Sequence, residues 1–504
     1  MGFDAEAARA FLVAENGNVE AAVRRLCDGE TPPPLPSPAA VAPALSGSGG
    51  GGSVGGGARS SSQPEATSLE PLAPPPPSRQ LNMVVIGHVD AGKSTLIGQL
   101  LLLAGQVDAR TMHKYERDSA AAGKGSFRFA WVMDQSEEER SRGVTVDVGV
   151  AHFATARREV NVLDAPGHRD FVPNMITGAA QADLALLVVN ASAGEFESGL
   201  SGQTKEHITL ARSLGVSRLL VGINQMDSTG WSQARYDEVV AGLAPLLKGL
   251  GYRQPPPAFV PLSALTGENL APGSLPPAGS EWYKGKSLLD EIDEVEPARR
   301  ASTVGTRLAV VDSYRTGSTV RMSGTLQAGT IQIGQKLLLL PARESVLVKS
   351  LASRGVALDA AASATAGDHV EVGVAIDDTV PVTAGMVLCD PARPVPRARR
   401  IEIQLRVISP RVMMRGMPLE AYVHSASCAA MLRRFVAPVS KAGEVLTDKK
   451  PPRVLRQHEA AIVELDLERE IVLEREADCR HLGRVVLRSE GQTVAAGLVR
   501  AILK

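Results

Sequence analysis

The stretch Gly87-His88-Val89-Asp90-Ala91-Gly92-Lys93-Ser94 has the spacing of a loop that cradles phosphate, two glycines followed by a lysine and a hydroxyl. It follows an apolar run and, with Thr95, opens a helical pattern. Backbone N–H groups of residues 90–94 would then meet an anion at a helix N-terminus. Lys93 would reach the β- and γ-phosphate oxygens, and Ser94 would ligate a Mg²⁺ ion. Three further stretches carry matching chemistry. Asp164-Ala165-Pro166-Gly167-His168 offers a carboxylate for the metal shell, a Gly167 N–H for a terminal phosphate and a histidine beside it. Asn224-Gln225-Met226-Asp227 offers Asn224 and a carboxylate at Asp227 that accepts two hydrogen bonds from a base edge. Guanine has N–H donors at N1 and N2 and adenine lacks that pair, so Asp227 selects guanine. Ser263-Ala264-Leu265 offers a backbone N–H for a carbonyl oxygen of the base. Thr145, between the phosphate-loop helix and the next strand, is placed as a second hydroxyl ligand of the metal.

Elements must bring these stretches together. From Leu81 the runs "LNMVVIG", "VNVLDA", "LALLVVNA", "LLVGIN" and "AFVPLSA" read as short buried strands alternating with helices. That is the pattern of a parallel-rich sheet covered on both faces, an α/β domain over 80–298. Each chemical motif falls at the carboxyl end of such a strand, where ligands bind in open α/β sheets. After it, Gly-punctuated strand runs such as "GTLQAGTIQIGQKLLLL" and "LGRVVLRSEGQTVAAGLV" predict two antiparallel β-barrels, over 299–396 and 397–504.

A chain of 504 residues exceeds what one hydrophobic core holds. Its 54 Lys and Arg against 55 Asp and Glu leave a formal charge of −1, so a nucleic-acid partner needs a local basic face rather than a global field. "RRIEIQLRV", "MLRRFV" and "KKPPRVLR" supply such local charge, for rRNA or an acidic partner, and a solvated face reads equally well for each alone. The four cysteines lie far apart without a C-x-x-C pair, as buried apolar residues in a reducing compartment do. No basic-then-apolar leader opens the chain, and the run Leu96 to Ala104 is too short to span a bilayer; these features predict a monomeric, cytoplasmic protein away from membranes.

Residues 1–29 read as two short helices broken at Asn16-Gly17-Asn18. They resemble the last two helices of a ubiquitin-associated-type domain without its first helix, so either the true start lies upstream or the pair orders only on a partner. The resemblance implies a docking module for ubiquitin or a ribosomal protein. Residues 30–79 are rich in Pro, Gly, Ser and Ala and read as a disordered linker.

"GHVDAGKST", "RGVTVDVG", "DAPGHRDFVPNMITGAAQAD" and "SALTGENL" closely resemble the elongation factor 1-alpha and class II release factor group of translational GTPases. Within it, "TMHKYE", "AWVMD", "GVTVDVG" and "GHRDF" look most like the HBS-like ribosome-rescue GTPases. The resemblance implies a P-loop GTPase domain and two β-barrels that bind GTP, GDP and Mg²⁺ and deliver a tRNA-shaped factor, Pelota, to a stalled ribosome. It implies that His168 orders the attacking water behind a gate of Val89 and Val144, with Lys93 neutralising charge on the phosphates. A termination-factor GTPase and a nucleotide-binding adaptor that has lost hydrolysis are the alternatives. The adaptor reading arises from Gln225, which stands where this group carries lysine. A lysine stem covers the base and bonds back to the phosphate loop; glutamine keeps a shorter stem and a donor without the charge. Guanine binding is therefore expected to weaken by about 1–2 kcal/mol with its selectivity intact.

Overall fold

The computed structural model describes residues 79–503 apart from 122–127, 134–148, 168–170, 202, 254, 275–279, 298–304, 318, 354–355, 360, 378 and 441–442. The helical pair and linker expected over residues 1–78 lie outside them, as do Val144, Thr145 and His168.

Six strands, β1 (Gln80–Ile86), β2 (Gly149–Ala154), β3 (Glu159–Asp164), β4 (Leu184–Asn190), β5 (Arg218–Asn224) and β6 (Ala258–Pro261), form one sheet in the order β2-β3-β1-β4-β5-β6. All pairings are parallel except β2 with β3. Helices α1 (Lys93–Leu103), α2 (Ala109–Ala121), α3 (Val172–Ala179), α4 (Glu195–Ser201), α5 (Gln203–Leu214), α6 (Gln233–Gly249) and α7 (Leu288–Glu294) accompany it. Side chains alternate across each strand. Leu81, Met83 and Val85 of β1 pack with Leu96, Ile97 and Leu100 of α1, while Val84 and Ile86 pack with Met175 and Ile176 of α3 and Ile208 of α5. Both faces are covered, which is why the central strands are largely apolar, with Asn82 and Asn161 as buried polar exceptions. The edge strand β2 went unread in the sequence because only Ala151 and Phe153 turn inward, too few to make an alternating pattern.

Two closed antiparallel barrels follow. The first closes where Lys336–Leu340 pairs with Val387–Cys389 on one side and with Glu344–Ser353 on the other. The second closes where Arg397–Val407 pairs with Gln492–Leu503. Between the barrels, Arg307 donates through Nε and Nη2 to Glu474 Oε1 at 3.0 and 2.9 Å, and both residues are buried. The second barrel adds buried Val486, with Tyr422 and Ala496, to the core of the sheet domain, and polar contacts accompany it: Thr325 Oγ1 donates to Gln181 Oε1, Thr493 Oγ1 to Glu206 Oε1 and Arg484 to the Ser213 carbonyl.

The basic runs of the second barrel look different once folded. Arg400, Arg433 and Arg434 are paired with Asp466 and Glu464 on the neighbouring strand Ala460–Val472, so "RRIEIQLRV" and "MLRRFV" carry less free charge than their sequence suggests. Cys389 and Cys479 are buried as expected, and Cys428 is half-buried. Among the described residues no helix is long and apolar enough to cross a membrane.

Candidate nucleotide site

The loop from Gly87 to Gly92 leaves the carboxyl end of β1 and turns into α1, so residues 90–94 reach the helix N-terminus as the spacing requires. Asp90 and Gly92 take left-handed backbone angles, with φ of 60° and 86°. At Gly92 the close approach matters as well, since a Cβ there would stand 2.3 Å from the Asn224 side-chain nitrogen. Lys93 is buried, and its ammonium donates to the His88 carbonyl at 2.9 Å. Burial pushes its pKa below the usual lysine value, and the carboxylates of Asp164 and Asp90 act in the opposite direction. A cation held in a buried place is suited to receive an anion.

Ser94 Oγ donates to Asp164 Oδ2 at 2.7 Å, joining the first turn of α1 to the end of β3. Gly167 lies against this pair: a Cβ there would be 2.5 Å from Lys93 Nζ and 3.1 Å from the Val89 nitrogen. Added bulk at Gly167 would press on the Val89 nitrogen and displace the Lys93 ammonium. No group of three or more His, Cys, Asp or Glu side chains able to hold a metal occurs among the described residues. The adjacent hydroxyl and carboxylate fit Mg²⁺, which takes few protein ligands and completes its octahedron with phosphate and water.

The base loop leaves β5, the neighbour of β4. Asn224 is buried and committed at both ends: Nδ2 donates to the Ala91 carbonyl at 2.8 Å, and Oδ1 accepts from the Ala264 N–H at 2.9 Å. It is a brace between the phosphate loop and the Ser263–Leu265 loop. Of the three N–H groups of the Ser263–Leu265 loop, that of Ala264 is used by this brace, and that of Ser263 donates to the Glu268 carbonyl. Leu265, 44% exposed, presents the remaining N–H of the three. Asp227 sits exposed in the 3-10 turn Met226–Thr229. Behind it, buried Trp231 bonds through Nε1 to Glu268 Oε2, and Trp282 Nε1 donates to the Trp231 carbonyl.

Gln225 takes φ 63°, and its Nε2 donates to the Asp90 carbonyl at 3.4 Å, so the link back to the phosphate loop persists without a lysine. His88 Nδ1 pairs with Gln203 Oε1 at 3.0 Å. His207 is fully buried beneath the phosphate loop. Burial first, then Lys93, pushes its pKa down to about 3. The neutral ring approaches the Gly87 backbone without meeting hydrogen-bond geometry. Sequence reasoning missed this placement, together with Trp231, Ser192 and Arg235, because none stands in a local motif.

A family profile for the elongation factor Tu GTP binding domain matches residues 78–298, and one for the GTP-eEF1A C-terminal domain matches residues 400–500. Protein HBS1 of Drosophila melanogaster is 45% identical over 427 residues, which are 84% of this chain and 63% of that protein. Elongation factor 1-alpha of Mucor circinelloides f. lusitanicus is 36% identical over 442 residues, 84% of this chain and 95% of that protein. The S. cerevisiae Ski7 GTPase-like domain, solved with GDP and inorganic phosphate, superposes with a TM-score of 0.70 at 17% identity, covering 84% of this chain and 97% of that one. That likeness concerns the fold alone.

Proposed function

The chain belongs to the translational GTPases of the elongation factor 1-alpha family, and from that premise we propose that it binds GTP and GDP and hydrolyses GTP on the cytoplasmic ribosome. In this reading it delivers a Pelota-like, tRNA-shaped factor to stalled ribosomes. The 45% identity to Protein HBS1 favours rescue over termination, although the chain spans only 63% of that relative.

The observation that carries the reading is the meeting of Lys93, Ser94, Asp164 and Gly167 at one end of the sheet. Mg²⁺ held by Ser94, Thr145 and, through its shell, Asp164 would supply positive charge against the β/γ bridge when bound. Lys93 would exchange its carbonyl contact for phosphate oxygen, gaining a charge-assisted bond in a dry site. The Gly167 N–H would face the terminal phosphate. His168 would orient the attacking water, a positioning task rather than proton removal in a loose transition state, with Val89 and Val144 as the apolar gate. Asp227 would read the guanine edge and the Ser263–Leu265 loop its carbonyl.

The test is phosphate release from GTP with and without ribosomes. His168→Ala is expected to lose about 10²-fold of the ribosome-stimulated rate while binding GTP normally. Equal rates would remove His168 from catalysis. Gln225 specifically favours a second reading, a nucleotide-binding adaptor without hydrolysis, which predicts no ribosome-stimulated release from the wild type. Capture of a termination factor in place of Pelota would move the chain to the release-factor branch.

A further inference from the structure

Gln225 differs from lysine in one chemical respect beyond charge: an amide carries an acceptor as well as donors, and an ammonium carries donors only. The structure uses that acceptor. Ser192 Oγ donates to Gln225 Oε1 at 3.3 Å while Gln225 Nε2 donates to the Asp90 carbonyl at 3.4 Å. The two contacts make a continuous link from the loop after β4, through the base loop, to the phosphate loop.

The β-sheet sets up the meeting. Asn190 and Asn224, the last residues of β4 and β5, are register partners, so the loops leaving these strands begin side by side. Ser192 is then fixed from several directions. Its N–H donates to Asn190 Oδ1 at 2.8 Å. Arg235, on the first turn of α6, donates through Nε to the Ala191 carbonyl at 2.6 Å and through Nη2 to the Ser192 carbonyl at 3.0 Å. The same guanidinium pairs with Glu197 and Glu238 and has a side chain only 12% exposed. Ser228 Oγ donates to the Gln225 carbonyl at 2.7 Å and lies 3.0 Å from Ser192 Oγ. The single hydroxyl proton of Ser192 is therefore shared between Gln225 Oε1 and Ser228 Oγ. Gln225 and Asp90, the residues that the link joins, both hold left-handed backbone angles, which non-glycine residues adopt only when their surroundings impose them.

We propose that Ser192 and Gln225 act as one unit, a neutral hydroxyl–amide clasp that takes the place of the base-loop lysine and holds the guanine-reading loop against the phosphate loop. The inference rests on the guanine-nucleotide reading of this site. Ser192 is a positioning residue: it acts on the base through Gln225, and Arg235 holds it in place. Both contacts are long, so each contributes at the low end of what a hydrogen bond supplies, and their value lies in being coupled.

The test is dissociation of fluorescently labelled GDP from the full chain, with labelled ADP as the base control, for wild type, Ser192→Ala, Gln225→Ala, the double variant and Ser192→Thr. Each alanine variant is expected to release GDP about 2- to 3-fold faster, the low end of the scale of one hydrogen bond. The double variant is expected to be no faster than the faster single variant, and Ser192→Thr, which restores the hydroxyl, to return towards the wild-type rate. Melting temperatures are expected to stay within a degree or two, separating positioning from stability. Selective GDP binding in which Ser192→Ala releases at the wild-type rate, or in which the two effects multiply, overturns the clasp alone. ADP binding as tight as GDP in the wild type overturns the guanine reading and the clasp with it.

Discussion

At the scale of single residues, the site depends on side chains that are small, buried or doubly committed. Gly167 lies tight against the Val89 nitrogen and the Lys93 ammonium, so, in the proposed reading in which it meets the terminal phosphate, Gly167→Ala is expected to weaken GTP by about 10-fold or more and GDP by less. Parallel titrations with GTP and GDP would show it, and equal losses for both would place Gly167 elsewhere. The phosphate and base motifs were legible in the sequence because their chemistry lives in short contiguous strings. The use of Asn224 as a brace was not, since both its partners, Ala91 and Ala264, are distant in sequence. Nor was the burial of His207, whose neighbours meet it only once α5 packs beneath the phosphate loop.

Among elements, strand order decides what can cooperate. The β4-β5 register places Ser192 next to Gln225, and no local pattern announces that adjacency. The strands with two buried faces were readable as apolar runs; β2, with two inward side chains, was not. The barrels meet through an apolar cluster that includes Val387, Cys389, Val472 and Leu482, and through the buried Arg307–Glu474 pair. Removing one member leaves an uncompensated charge, so Arg307→Ala is expected to destabilise the barrels by about 3–5 kcal/mol. Arg307→Met combined with Glu474→Leu is expected to lose much less. Urea midpoints compare the two, and a cost below about 1 kcal/mol for Arg307→Ala would contradict the view of this pair as the lock between barrels.

For the whole molecule, stability should depend on pH through rings buried as neutral bases. Burial is the largest cause that takes His207 down to about 3 and His424 to about 4, from an ordinary 6.5. The unfolded chain binds protons at these positions first, so their contribution is complete above about pH 6.5 and is lost as pH falls from there towards 4 and 3. Each ring gives a slope of about 1.4 kcal/mol per pH unit in that window. Denaturant midpoints at pH 7.5 and 5.5 should fall accordingly, and an unchanged midpoint would show that neither ring is held neutral. The order of one sheet domain and two barrels was readable from the change in hydrophobic period along the chain. The polar contacts that join them, such as Thr325 with Gln181 and Thr493 with Glu206, were not, because a hydroxyl facing another domain looks like any surface hydroxyl in sequence.

The central claim is that this site selects guanine nucleotides although glutamine stands in the base loop. A direct titration of the full chain with GTP, GDP and ATP tests it. The proposed reading predicts measurable GTP and GDP binding and ATP weaker by about 10²-fold or more, the discrimination that two lost hydrogen bonds to Asp227 would provide. ATP binding as tightly as GTP would contradict it.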